Sequence, residues 1–356
     1  MTKHQPFVKE KINKPIDIIR RNIELGKPTL VAGPMVRYSK LPFRATVRRF
    51  GADIVYSPMI LAREFVRNET ARVADFSTND EDTCLIVQVG VNNTTDMVRM
   101  VEMINPYCDG IGINCGCPIK DQVREGIGAA LMSEPHLVHD LVKASKERFP
   151  DFCIEVKIRI HDDIKQTEEF IKIVEKSGVD FITIHGRTKD TRSSIPANFE
   201  AIKYLKTITT VPVIANGDCF KPDDVDKIVK YTGVDGVMAV RGVLTNPALF
   251  AGYEVTPWKA VEWFWYYAVN YGLHFRLLQH HLSEMLDKSI SNKVLREMNF
   301  KKNLVDVIEW FDEMFDLKRF GEEGFGERVE IPIKPGSGLI FSNGIILWED
   351  SEKHKS

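Results

Sequence analysis

Gly110-Ile111-Gly112-Ile113-Asn114-Cys115-Gly116-Cys117-Pro118 begins as a short apolar run and ends in a polar turn. The same design recurs along the chain. Runs rich in Val and Ile at 29–32, 53–56, 85–89, 110–113, 153–158, 181–184, 211–215 and 236–239 alternate with segments of helical period. Strands buried on both faces of a parallel sheet read this way, because helices shield them from water on either side. Eight such runs with helices between them predict a (β/α)8 TIM barrel. The alternative, an open doubly wound sheet, lacks its Gly-x-Gly-x-x-Gly turn after the first strand. Gly126-Ile127-Gly128 has no third glycine at that spacing and leads into Ala129-Ala130-Leu131, where small residues suit close helix packing.

After Asn246-Pro247 the strand pattern stops and an aromatic-rich, helical stretch begins with Trp258, Trp263, Trp265, Tyr266, Tyr267 and Tyr271. Leu277, Leu278, Leu282, Met285 and Leu286 repeat at helical spacing, as do Leu304, Val307, Ile308 and Phe311, which makes them core stripes of a small all-helical domain. The expected divisions are a basic extension over 1–27, the barrel over 28–247, the helical domain over 248–320 and a tail over 321–356. Within the tail, 331–333 and 339–347 read as a short hairpin or a loose end.

The bulk numbers bound the answer. Of 356 residues, 44% are apolar and 28% charged, and no stretch approaches the roughly 18 consecutive apolar residues of a membrane helix. The first 25 residues mix charges with isolated Ile and Val and have no apolar core of the secretory kind, so an intracellular protein is expected, cytoplasmic or nuclear. Six cysteines, with Cys84 and Cys153 in apolar runs, suit a reducing compartment rather than a disulfide framework. Residues 1–50 carry twelve Lys or Arg against three acids, a balance of +9, so a net charge of −2 leaves −11 for the rest. A basic segment on an acidic body could contact a polyanion such as RNA, or simply be a solvated face.

Barrels place their chemistry at the carboxyl ends of the strands. Those ends are polar here: Pro34-Met35-Val36 with Arg37, Gln88, Asn114 and Cys117, Lys157 and Arg159, His185 and Arg187, Asn216-Gly217-Asp218, and Arg241-Gly242. The last two ends suggest a phosphate site, since Gly217 and Gly242 admit close backbone approach and Arg241 can hold two phosphate oxygens. Lys157 would then lie near the ring of a planar cofactor, stabilising a reduced flavin, unless it pairs with Glu155 on the same strand face. Gln88 can donate to and accept from an isoalloxazine edge.

Cys115-x-Cys117 offers only weak signals for a metal site or a redox pair, because neither Cys108 nor His136 and His139 completes a ligand spacing. Cys117, between a glycine and a proline, is either a catalytic acid or a buried inert thiol. His280 and His281 with Glu284 lack the His-Glu-x-x-His order and are expected at the surface or facing RNA.

Together these motifs resemble the tRNA-dihydrouridine synthase family, over most of the chain. Ala32-Gly33-Pro34-Met35-Val36 is similar to its Ala-Pro-Met strand, with Gly33 inserted. Asn114-Cys115-Gly116-Cys117-Pro118 is similar to its Asn-x-Gly-Cys-Pro signature, followed by Gly126-Ile127-Gly128-Ala129. Lys157-Ile158-Arg159, His185-Gly186-Arg187-Thr188, Asn216-Gly217-Asp218 and the stretch from Gly236 to Gly242 complete the set. Residues 158–163 and 246–254 look like the eukaryotic subgroup acting on D-loop positions 20a and 20b. The resemblance implies an FMN barrel followed by a tRNA-binding helical domain, reduced by NADPH or NADH and acting as a monomer without a metal. By matching motif, FMN would meet Pro34, Met35, Val36, Gln88, Lys157, His185, Asn216, Gly217, Asp218, Val240 and Arg241. Asn114, Arg159 and Arg187 would hold the uracil, hydride would reach C6, and Cys117 would protonate C5. Two rival readings are a metabolic FMN oxidoreductase of the dihydroorotate dehydrogenase type and a non-catalytic RNA-binding protein.

Overall fold

The computed structural model describes residues 14–349; residues 1–13 and 350–356, which belong to the expected basic extension and tail, lie outside it. The described chain forms two compact units, one of residues 14–44, 52–219 and 223–240, the other of 45–51, 220–222 and 241–349.

The first unit is a closed parallel barrel. Its strands are β1 (Thr29–Ala32), β2 (Ile54–Tyr56), β3 (Ile60–Leu61), β4 (Leu85–Gly90), β5 (Gly110–Cys115), β6 (Cys153–Arg159), β7 (Phe181–His185), β8 (Val213–Asn216) and β9 (Gly236–Ala239). They hydrogen-bond in the order β2-β1-β9-β8-β7-β6-β5-β4, and a β2–β4 pairing closes the circle. This is the expected (β/α)8 arrangement. The addition is β3: β2 pairs with the start of β4, the chain breaks step at Ser57-Pro58-Met59, and Ile60 re-pairs with Val89. Pro58 has no N–H to give a ladder, so an interruption there is expected.

Strand alternation sorts the side chains. On β6, Ile154, Val156 and Ile158 face the helices, whereas Cys153, Glu155, Lys157 and Arg159 face the lumen. The lumen floor is apolar: Val31, Ile54, Tyr56, Ile86, Cys153, Phe181, Ile214 and Met238 form one cluster. Ile16 and Ile19 complete that cluster from helix α1 (Pro15–Glu24), so part of the expected basic extension is a plug under the barrel. Its start is well specified, with Pro15 in the first turn, Asp17 near the positive end of the helix dipole and Arg21 in the last turn. Asn22 ties it down by donating to Thr29 Oγ1 and Asp53 Oδ2, both at 3.3 Å.

The loop after β1 hangs on a buried ion pair. Arg44, on helix Leu41–Arg49, meets Asp82 at 2.6 Å with side-chain exposures of 2% and 0%. The same guanidinium donates to Ser39 O at 2.7 Å and Ser77 O at 2.6 Å. Ser39 in turn accepts from Met35 N and donates to Gly33 O.

The second unit holds helices Trp258–Asn270, Phe275–Leu286, Asn292–Phe300 and Leu304–Met314. Leu278, Leu282, Met285 and Leu286 are buried as a stripe, as are Val307 and Phe311. His281 corrects the expectation of a surface or RNA-facing residue: it is fully buried, its ring 4.8 Å from that of Phe264. Helical phase explains this, since His281 sits three residues after Leu278 and four before Met285, whereas His280 is exposed. The chain after the helices packs back on this unit. Glu262 accepts from Lys318 N and Gly326 N, and Trp258 N donates to Val329 O. The choice between hairpin and loose end resolves to an antiparallel pair, β10 (Leu339–Ser342) and β11 (Ile345–Trp348), turned by Asn343-Gly344 with φ of 51° and 83°. Among the described residues no helix is long and apolar enough to cross a membrane.

Arg44→Met should destabilise the protein by about 3–5 kcal/mol in denaturant unfolding, because it strands a buried carboxylate. A loss under about 1 kcal/mol would show that Asp82 does not depend on Arg44.

Candidate active site

Cys117 is fixed by its neighbours before any ligand is considered. Asn114 is the penultimate residue of β5, and its Oδ1 accepts from Gly116 N at 2.9 Å and Cys117 N at 2.8 Å, which folds the chain into a tight side-chain-capped turn. Ala129 N donates to Cys117 O at 2.9 Å from the other side. Gly128 permits that approach: it has φ of +67°, and a Cβ there would lie 2.7 Å from Cys117 O. Gly126-Ile127-Gly128-Ala129 therefore serves to pin the cysteine turn. Cys117 is half-buried, whereas Cys115 is fully buried and burial pushes its thiol pKa well up. A reagent in the cavity meets Cys117, not Cys115.

Lys157 reaches across the lumen from β6 and donates to Asn216 Oδ1 at 2.9 Å. Asn216 is oriented by its own Nδ2, which donates to Met238 O at 2.9 Å. The ammonium is thus bonded to Asn216 rather than to Glu155, which acts on it through space. Burial pushes Lys157 down to about 8, with the Glu155 charge opposing that shift and Arg159 adding to it. Gln88 Oε1 accepts from Asn114 Nδ2 at 3.0 Å, linking β4 to the cysteine turn. Gln88 Nε2 is buried with no hydrogen-bond partner. An orphaned buried donor costs roughly 1–3 kcal/mol, which a ligand acceptor would recover.

The next strand ends divide between ligand-facing and load-carrying groups. Arg159 donates Nε to Gly116 O at 2.7 Å and Nη1 to Thr188 O at 2.8 Å, so it braces the cysteine turn while remaining half-buried. Arg187 is 3% exposed and fully engaged. It pairs with Asp218, donates to Ile195 O at 2.6 Å and touches His185 Nε2 at 3.2 Å. Asp218 also accepts from Ala197 N at 2.7 Å. These two residues clamp the loop after β7, with Arg187 committed to that loop, to His185 and to Asp218. Gly217 has φ of +129° and a Cβ there would be 2.7 Å from Ala197 Cβ, so no side chain fits.

At the end of β1, the inserted Gly33 has a steric reason, because a Cβ would lie 2.7 Å from Met238 Sδ and 2.8 Å from Val240 Cγ2. Pro34 is half-buried, Met35 is buried and Val36 is 50% exposed. Arg37 follows with φ of 71°, a left-handed conformation that is strained for arginine. Val240 packs against the floor cluster. Arg241 begins helix Arg241–Thr245 of the second unit, with its guanidinium 4.9 Å from the Phe220 ring. Among the described residues no three His, Cys, Asp or Glu gather as a metal site.

Sequence reasoning missed the braces. Ser57 donates no chemistry but accepts from Gln88 N at 3.2 Å, and Thr188 holds Arg159 through a carbonyl no side-chain pattern reveals. Glu155, weighed only as a partner for Lys157, is buried beneath it with its own pKa pushed up to about 7 by burial. Strand alternation was the available signal.

The family model for dihydrouridine synthase matches residues 30–334, and the chain belongs to that family. A Saccharomyces cerevisiae protein named tRNA-dihydrouridine(20a/20b) synthase, with NAD(P)+ in its name, is 57% identical over 339 residues, covering 93% of this chain and 92% of that one. A Schizosaccharomyces pombe protein of the same name is 47% identical, covering 90% and 98%. A Homo sapiens protein with that name and the suffix "-like" is 40% identical, covering 82% and 92%. A 2-naphthoyl-CoA reductase structure superposes with a TM-score of 0.50 at 10% identity, covering 63% of this chain and 49% of that one, and so shares the barrel fold.

Asn114→Ala should speed amide hydrogen exchange at Gly116 and Cys117 by about tenfold, the equivalent of one net hydrogen bond. Unchanged exchange at both would mean the turn holds without Asn114.

Proposed function

We propose that this chain reduces uridine to 5,6-dihydrouridine in the D-loop of tRNA, at positions 20a and 20b, using FMN and NAD(P)H. The observation that carries the reading is the half-buried Cys117, pinned by Asn114 and Gly128 on the same barrel end as the Lys157–Asn216 pair. Membership of the dihydrouridine synthase family, and relatives named for the 20a/20b reaction, support it.

A flavin suits the residues present. Gln88 Nε2 is a buried donor awaiting an acceptor, and it lies on the same barrel end as the Lys157 ammonium. Gln88, Lys157, Asn216 and His185 would hold the ring, Pro34, Met35 and Val36 its face, and Gly217, the Asp218 backbone and Val240 the remainder. When bound, the flavin supplies the hydride that adds to uracil C6.

The protein's own groups then have separable tasks. The Lys157 ammonium offsets negative charge in a low-dielectric lumen, where one fixed cation counts for more than in water. Asn114 and Arg159 face the uracil while bracing the cysteine turn, and Arg187 and Asp218 hold the loop that follows His185. Once C6 has been attacked, the base is an enolate across C4 and C5, and Cys117 Sγ–H gives its proton to C5. The uridine reaches this depth by leaving its stack in the D-loop.

Cys117→Ala should keep flavin reduction by NADPH while slowing dihydrouridine formation by about two to four orders of magnitude. Stopped-flow absorbance reads the first step and dihydrouridine analysis of tRNA the second. Full activity in this variant would remove Cys117 from the mechanism.

A further inference from the structure

Glu155 has no task in the reading above, yet the barrel makes room for it. It lies on the inward face of β6, one level below Lys157, and is 0% exposed. Across from it, β5 carries Gly112, where a Cβ would collide with Glu155 Oε2. Any larger residue at 112 would occupy the space of the carboxylate. Tyr56 from β2 and Thr183 from β7 also face it. The Tyr56 and Thr183 hydroxyls favour the carboxylate as hydrogen-bonding neighbours, although none of the four oxygens reaches full hydrogen-bond geometry. A core position kept for packing would hold an aliphatic residue here, because a fully buried carboxylate is costly even with two hydroxyls beside it.

We propose that Glu155 is a positioning residue that governs the charge of Lys157, binding and releasing one proton beneath the ammonium so that the lumen can match a change of charge above it. The proton comes from solvent hydronium, whose O–H bond breaks to leave water as the carboxyl O–H bond forms; release reverses the step and nothing in the chain is oxidised. Linking this to a cofactor ring rests on the flavin reading, whereas the coupling of Glu155 to Lys157 does not.

The surrounding groups leave the pair to titrate by itself. Burial pushes Tyr56 well above its usual range, and also raises the Cys115 and Cys153 thiols, so all three stay neutral near pH 7. Ile86 of β4 closes the remaining side near Gly112. Toward the cavity, Arg159 disfavours the Lys157 ammonium and Cys117 favours it. Burial raises Glu155 to about 7 and lowers Lys157 to about 8, each charge drawing the other back toward ionisation. With both groups ionised the pair is balanced; a proton gained by Glu155 leaves it net positive, and a proton lost from Lys157 leaves it net negative. An incoming negative charge would draw a proton onto Glu155 while Lys157 stays charged.

The test uses the full-length protein with whatever flavin it retains, as wild type, Glu155→Gln and Glu155→Asp. Lys157 carbamylation by cyanate, followed by mass spectrometry across pH, reports its titration. In Glu155→Gln the loss of the anion should let Lys157 deprotonate at lower pH and react several-fold faster at neutral pH. Glu155→Asp keeps the carboxylate and should stay closer to wild type; if the Gln variant does not fold, wild type decides, and a Lys157 reactivity profile with no inflection near neutral pH overturns the proposal. The flavin midpoint potential of wild type should bend near pH 7, and that bend should be missing in Glu155→Gln. Superimposable Lys157 titrations in folded wild type and variant would overturn the proposal. If the labelling shifts but the protein carries no flavin, the coupling stands and the flavin reading fails.

Discussion

An ammonium inside a closed barrel is the constraint around which the site is built. Lys157 can stay charged there only with an acceptor and an anion nearby, and the barrel provides both, Asn216 directly and Glu155 through space. Asn216 can accept only because Met238 O fixes its amide the right way round. Glu155 fits only because β5 has a glycine at 112. The choice of Asn216, Glu155 and Gly112 on β8, β6 and β5 therefore follows from one enclosed charge. The floor beneath the Glu155 level is apolar and is closed from below by Ile16 and Ile19.

The cysteine turn is built on a different economy, that of the backbone. Its position depends on two N–H groups captured by Asn114, a carbonyl held by Ala129 and another held by Arg159. The thiol itself needs no partner to be placed. This separates the part that reacts from the parts that hold it, and it explains why Asn114 and Arg159 appear together with Cys117 although neither touches its sulfur in these contacts.

The barrel was legible because buried parallel strands have an apolar signature, and the runs at 29–32 and 236–239 coincide with β1 and β9 residue for residue. Val211 and Pro212 look like strand but precede β8, since apolar composition does not report where pairing begins. β3 was invisible because two residues carry no period. Helix α1 had its start signals in Pro15 and Asp17, but the density of Lys and Arg drew the reading toward charge. At the site, polar residues at strand ends were readable as a group. What each does was not: Arg187 and Arg159 look alike in sequence, yet one is buried in an ion pair with Asp218 and the other braces Gly116. Such assignments depend on carbonyls and loops that fold into reach only in three dimensions.

The fold, the family and the relatives converge on one substrate bond, the C5=C6 bond of two adjacent D-loop uridines. The most direct measurement is a map of dihydrouridine in tRNA from cells lacking this protein, read beside the same cells carrying it again. The account predicts that dihydrouridine disappears from positions 20a and 20b and returns with the protein, while other D-loop sites keep theirs. Unchanged dihydrouridine at both positions would contradict it.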